Sequence, residues 1–115
     1  MRSPLVTSHA ACRGHAPENT LAGIEAALLT DGRRVADWQE FFGFALSLNA
    51  QGVSVYYAFA TPEIVRQGQK RALTFMTWTV DGEEDMAKMC DAGVDSICSN
   101  FPDLVRRVVD GRVPA

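Results

Sequence analysis

The sequence predicts an α/β fold with a parallel sheet, because strand-like and helix-like segments alternate along it with short connections. Residues 53–57 alternate and are rich in β-branched and aromatic side chains, and residues 73–80 form a longer run of the same kind. Between these two strands, Thr61 and Pro62 are typical of a helix start, with threonine as the cap and proline in the first helical position. In such a fold the helices pack outside the strands.

The amino-terminal part predicts a strand, a loop and a helix. Leu5-Val6-Thr7 is a short apolar run of the length of a buried strand. Residues 9–20 contain both histidines of the chain and many small residues, which is typical of a loop. Leu21, Ile24 and Leu28 then recur at helical spacing.

The middle of the chain predicts an amphipathic helix. Asp31-Gly32 is a turn signal after a short apolar run. One wide apolar face follows, formed by Trp38, Phe41, Phe42, Ala45 and Leu48. We expect this helix to end near Gly52 in a left-handed conformation. Tyr56 and Tyr57, as neighbours in a strand, should point to opposite faces of the sheet.

The carboxyl-terminal part predicts two further helices around one strand. We expect Asp81 to cap a helix whose first turn contains Glu83-Glu84-Asp85 and which stops at Gly93. Residues 94–98 predict a strand. Asn100 precedes a last helix that we expect to close at Gly111.

Length and composition limit the possible classes of protein. The 115 residues predict one domain, 1–115, and are too few for a complete eight-stranded α/β barrel of about 250 residues. A net charge of −3 and a pI of about 5.2 argue against a nucleic-acid partner. We expect no membrane span and, for want of a signal-peptide apolar core, a cytoplasmic location.

Two motifs resemble one known family. His9, followed four residues later by Gly14-His15-Ala16-Pro17-Glu18-Asn19-Thr20, resembles the amino-terminal motif of the glycerophosphodiester phosphodiesterases. Residues 60–65, 78–81 and 93–97 are similar to the last barrel units of the same family. The resemblance implies a (β/α)8 barrel and hydrolysis of glycerophosphodiesters to glycerol 3-phosphate and an alcohol, in lipid metabolism. It also implies a divalent cation, Mg²⁺ or Ca²⁺.

The resemblance assigns roles to four residues. His9 matches the first catalytic histidine, as general acid or base, and the alternative is that it is only a remnant of the family site. Arg13, Glu18 and Trp78 match or lie near substrate-binding positions, although without the resemblance Trp78 would be interpreted as a core residue. The family's second catalytic histidine and its metal-binding Glu-x-Asp pair have no match, so no metal ligand is assigned. Glu83-Glu84-Asp85 is interpreted as a charged first helical turn.

We therefore predict a partial barrel in which the first βα unit, residues 1–29, is joined to the last three or four units, residues 30–115. The central units of the family are missing from this sequence. The predicted function is that of a glycerophosphodiester hydrolase with impaired or no activity, and whether the chain is an enzyme stays open. The alternative is a non-catalytic α/β module that forms homo-oligomers through open sheet edges.

Overall fold

A computed structural model describes residues 5–8, for which only the backbone is considered, and residues 27–112. These residues form five strands and four helices. In chain order they are β1 (Leu5–Ser8), β2 (Ala27–Thr30), α1 (Trp38–Ser47), β3 (Gly52–Tyr56), α2 (Pro62–Lys70), β4 (Thr74–Trp78), α3 (Glu83–Ala92), β5 (Ser96–Ser99) and α4 (Pro102–Arg112). A 3₁₀ turn, Tyr57–Phe59, follows β3.

The strands form one parallel sheet in the order β1-β5-β4-β3-β2. Strands β2 to β5 are neighbours in chain order, whereas β1 lies at the far edge beside β5. Because all strands run in the same direction, they end on one side of the sheet, which we call the carboxyl end, and begin at the amino end. The predicted parallel α/β architecture is confirmed.

The hydrophobic core lies between the sheet and the helices. Val53 pairs with Phe75, and Val55, Thr77 and Ile97 are aligned across three neighbouring strands. All of these side chains are at most 1% exposed. The helices cover them with Phe42, Val65, Met86 and Val105, each fully buried. Complete burial of such a side chain is worth about 1.5–3 kcal/mol, so this layer is the main source of stability.

The opposite face of the sheet is less buried. Ser54, Tyr56, Met76 and Trp78 alternate with the core residues and are half-buried, and Leu29, in register with Ser54, is 64% exposed. Such alternation is typical of a sheet with only one fully covered face. The helices thus pack on one side only of the described strands.

Two of the predicted helix signals are confirmed by the geometry. The Thr61 hydroxyl accepts a hydrogen bond from the Ile64 backbone N–H at 3.3 Å, and Pro62 is the first residue of α2. Gly93 ends α3 with a φ of 82°, a left-handed conformation that costs glycine little.

Three details differ from the prediction. Helix α1 ends in a left-handed residue, but this residue is Asn49, with a φ of 59°. Gly52 instead begins β3, where a Cβ atom would lie 2.7 Å from the Thr74 carbonyl oxygen, so glycine is required by the close approach of two strands. Gly111 lies inside α4, which continues to Arg112.

Candidate functional site at the carboxyl end of the sheet

The carboxyl ends of β3, β4 and β5 place Tyr56, Trp78 and Ser99 on the same side of the molecule. β1 ends there too, since Ser8 is in register with Ser99. Sites in parallel α/β proteins are built at this end because the loops that follow the strands converge there.

Three aromatic rings line this end. The Tyr56 and Trp78 side chains come from paired positions of β3 and β4, with ring centroids 5.4 Å apart at 60°. The Tyr57 ring lies 4.8 Å from Tyr56. The expectation that the two tyrosines point to opposite faces was therefore wrong. Tyr57 begins the 3₁₀ turn, so the alternation of the strand no longer determines its direction.

The indole N–H of Trp78 is buried and has no hydrogen-bond acceptor among the described residues. A buried donor without an acceptor is costly, and such groups in folded proteins usually have a partner. The rest of the side chain is half-buried. Trp78 thus offers a hydrogen-bond donor at the end of the sheet where ligands bind in this class of fold.

Asp81 connects two loops at this end. Its Oδ1 accepts hydrogen bonds from the Ser99 hydroxyl at 3.0 Å and from the Asn100 backbone N–H at 2.9 Å. Its Oδ2 accepts one from Asn100 Nδ2 at 2.9 Å. The prediction that Asp81 caps α3 was wrong, because the cap position is Gly82, which makes no side-chain cap bond.

These bonds hold the loop between β5 and α4. Ser99 is fully buried, and its hydroxyl oxygen also accepts a hydrogen bond from the Phe101 backbone N–H at 2.9 Å. Before Asp81, the Val80 N–H donates to the Cys98 carbonyl at 2.9 Å. Asn100 and Phe101 remain exposed. The arrangement therefore presents two ordered, solvent-facing residues at the carboxyl end.

Acidic groups shape the electrostatics beside the aromatic rings. The pKa of Tyr57 is raised above its ordinary value of 10.0, first by a hydrogen bond with Tyr56 and then by the negative charge of Asp85. Both effects favour the neutral phenol. Tyr57 therefore remains a hydroxyl group at physiological pH.

Of the four residues to which the sequence assigned roles, Trp78 lies in this site. His9, Arg13 and Glu18 lie outside the described residues. His9 directly follows Ser8, the last residue of β1. Sequence reasoning missed the role of Asp81, although one signal was available: Asp81 and Ser99 both come just after, or at, the end of strands that are neighbours in the sheet.

The described residues do not fit a divalent metal ion. Within 5–8 and 27–112, no group of three histidine, cysteine, aspartate or glutamate side chains is close enough to hold one. Both oxygens of Asp81 already accept hydrogen bonds. Mg²⁺ and Ca²⁺ need several oxygen ligands, so we derive no chemical step through a metal from these residues.

Residues 27–104, more than half of the chain, match the model of the glycerophosphoryl diester phosphodiesterase family. The chain belongs to this family. The matched range includes Trp78, Asp81 and Ser99, so the loops of the candidate site lie within it.

Individual relatives agree with this assignment. A glycerophosphodiester phosphodiesterase of Caldanaerobacter subterraneus is 35% identical over 65 residues, which are 56% of this chain and 27% of the relative. A Silicibacter pomeroyi structure described as a glycerophosphoryl diester phosphodiesterase has a TM-score of 0.64 and 26% identity, covering 74% of this chain and 30% of its own. An Oleispira antarctica phosphodiesterase, solved with its product sn-glycerol-3-phosphate, has a TM-score of 0.61 at 20% identity over 71% of this chain and 32% of its own.

The chain thus spans about a third or less of the length of these relatives. Most of it superimposes on α/β barrel enzymes, while most of each barrel has no counterpart here. The predicted partial barrel is confirmed. Among the described residues, no helix is both long and apolar enough to cross a membrane.

Proposed function

We propose that this chain acts on glycerophosphodiesters, as a hydrolase of lipid metabolism that releases glycerol 3-phosphate and an alcohol, and that its turnover is impaired or absent. The proposal depends chiefly on one observation: the carboxyl end of the family-matching strands has a buried Trp78 donor without a partner beside an ordered loop. The Oleispira relative binds its product sn-glycerol-3-phosphate, which supports the same ligand chemistry here.

Trp78 would donate its Nε1 hydrogen to an oxygen of the bound phosphodiester, while the Tyr56 ring supports the indole plane. Asp81 would hold Asn100 in place next to the ligand. His9, at the end of β1, would act as general acid or base. Arg13 and Glu18, in the loop that follows, would contribute to substrate binding.

Impaired turnover follows from what the reaction requires. Phosphodiester hydrolysis needs a positioned nucleophile, an acid for the leaving oxygen and positive charge near the phosphoryl oxygens. The family resemblance implies a second histidine from a later strand, but the chain's other histidine is His15, close to His9 in sequence. The Mg²⁺ or Ca²⁺ of the family, like the cytoplasmic location, remains a prediction.

The test separates binding from turnover. Glycerol 3-phosphate binding is measured by calorimetry on the folded protein, and its release from a simple glycerophosphodiester is followed with Mg²⁺, with Ca²⁺ and with a chelator. We expect binding with little or no release. Metal-dependent release that disappears in His9→Ala would contradict the predicted impairment, and absence of binding would contradict the site itself.

One observation favours a second function, that of a non-catalytic module that forms homo-oligomers. β2 pairs only with β3 among the described strands, and Leu29 on β2 is 64% exposed. An unpaired strand edge with exposed apolar side chains promotes association. Association without glycerol 3-phosphate binding would favour this function over the first.

A further inference from the structure

Apolar side chains are exposed along one flank of α1. Phe41, Phe44 and Leu48 recur at i, i+3 and i+7 and therefore share one side of the helix axis. Phe44 is 55% and Leu48 54% exposed, whereas Phe42 and Ala45, turned toward the sheet, are fully buried. A helix of a globular protein seldom exposes a phenylalanine and a leucine on one stripe without a partner.

This flank lies on the same side as β2. A surface hollow of about 250 Å³ is lined by Phe41 and Phe44 from α1 and by residues 34–37 from the loop that joins β2 to α1. Because this loop leaves the end of β2, the hollow faces the edge of the sheet that β2 forms. We call the outer edge of β2, together with Phe41, Phe44 and Leu48, the β2 surface.

The backbone of β2 is a second feature of this surface. β2 has a strand neighbour, β3, on one side only among the described residues. The other side of an edge strand presents N–H and C=O groups that can pair with another strand. Its short length of four residues, Ala27–Thr30, makes such pairing local.

Charges of both signs surround the hollow. Arg34 lines it together with Asp37 and Glu40, and all three residues are exposed. A surface with both signs in one patch can be complementary to a copy of itself, since a two-fold rotation brings the positive side of one patch onto the negative side of the other.

We propose that the β2 surface binds a second copy of this chain through a two-fold axis, with β2 antiparallel to β2 of the second copy. Each feature then meets its complement: strand edge meets strand edge, the apolar flank of α1 meets the same flank, and Arg34 meets Glu40 of the other chain. A two-fold contact of this kind closes on itself and forms a dimer, not a fibre. This inference deepens the self-association candidate above, because it names the surface, the symmetry and the partner.

The first test compares two substitutions on opposite flanks of α1. Phe44→Glu places a charge in the proposed contact, whereas Leu46→Glu places the same charge on the other flank, where Leu46 is 43% exposed. We expect the unmodified chain to form dimers in sedimentation equilibrium, and we expect Phe44→Glu to weaken the dimer about tenfold or more, which corresponds to about 1.4 kcal/mol or more. Leu46→Glu should leave the dimer intact. Circular dichroism checks that both variants fold.

The second test exchanges charges. Arg34→Glu should impair dimer formation because the introduced carboxylate would face Glu40 of the second copy, and Glu40→Arg should do so because two guanidinium groups would then face each other. When the two variants are mixed, each chain offers at this contact the charge that the other lacks. We therefore expect each variant alone to be largely monomeric and the mixture to form heterodimers, with the difference decreasing at high salt.

Several outcomes would overturn the inference, and they differ in what else they affect. A monomeric parent chain at all concentrations would contradict both this surface and the self-association candidate. A dimer that survives Phe44→Glu, or that pairs β2 with β1 of the other copy so that mixing has no effect, would contradict the β2 surface and leave self-association standing. None of these measurements depends on glycerophosphodiester hydrolysis.

Discussion

Two aspartates lie at opposite ends of the same strands and have different tasks. Asp95, just before β5 at the amino end, is 9% exposed, and its Oδ2 accepts hydrogen bonds from the Phe75 N–H at 2.8 Å and from Gln69 Nε2 at 3.2 Å. Gln69 also donates to the Gly93 carbonyl at 2.7 Å. This cluster joins α2, β4 and the loop before β5 in the interior.

Asp81, at the carboxyl end, also accepts several hydrogen bonds but supports exposed residues. Its partners are Ser99 and Asn100, and the ordered loop that results faces solvent. The comparison teaches that hydrogen bonding alone does not identify a site. In parallel α/β folds the amino end contributes mainly to stability and the carboxyl end to function.

The largest effect on stability is expected for Asp95→Ala. The Phe75 N–H and the Gln69 amide would lose their acceptor in a buried place, which costs about 2–3 kcal/mol of the free energy of unfolding. Urea denaturation measures this loss. The matched control is Asp91→Ala, because Asp91 is 62% exposed and pairs with Arg112 at the surface. Such pairs contribute about 0–1 kcal/mol. If both variants lose the same stability, Asp95 is not the structural centre of the amino end.

For Trp78→Phe we expect the reverse pattern, with a small effect on stability and a larger one on binding. Phenylalanine keeps an aromatic ring beside Tyr56 but lacks the N–H, which has no described partner to lose. Calorimetry should show glycerol 3-phosphate binding about tenfold weaker, in line with one lost hydrogen bond of about 1.4 kcal/mol. Trp38→Phe in α1 is the control. Equal binding by the parent and Trp78→Phe would remove Trp78 from the site.

Asp81→Ala should lie between these two cases. We expect a loss of about 1 kcal/mol in the free energy of unfolding, since most of the freed donors can reach water. Glycerol 3-phosphate binding should weaken several-fold because Asn100 is no longer held in place. Asp103→Ala, an exposed carboxylate in the first turn of α4, serves as the control. A binding loss no greater than that of the control would mean that Asp81 is as structural as Asp95.

The smallest effect concerns the titration of Tyr57. With only two tyrosines in the chain, the ultraviolet absorbance of phenolate can follow both. Asp85→Asn removes a negative charge that raises the pKa of Tyr57, so this pKa should fall toward 10.0. Glu83→Gln, in the same turn of α3, is the control.

The same titration has a consequence for stability. Because the pKa of Tyr57 is higher in the folded than in the unfolded chain, its contribution is fully present below about pH 10 and is lost as the pH rises through the folded-state pKa. Asp85→Asn should make this alkaline loss of stability smaller. An unchanged pH profile would show that Asp85 does not act on Tyr57.

Local signals determined much of this protein from the sequence. The caps at Thr61 and Gly93, the acidic first turn of α3 and the apolar face of α1 depend on residues within a few positions of one another. Such short-range geometry is the same in every helix or turn, so the sequence predicts it directly. The parallel α/β class follows from the alternation of these elements.

Only the tertiary structure decided what depends on distant residues. Asp81 looked like a cap because a cap is local, yet its partners are 18 and 19 positions away, on the next strand of the sheet and just after it. Gly52 is required by the carbonyl of Thr74 and not by the end of α1. Likewise, that β1 pairs with β5, and that β2 is left at an edge of the sheet, is determined by strand order, which local periodicity does not encode.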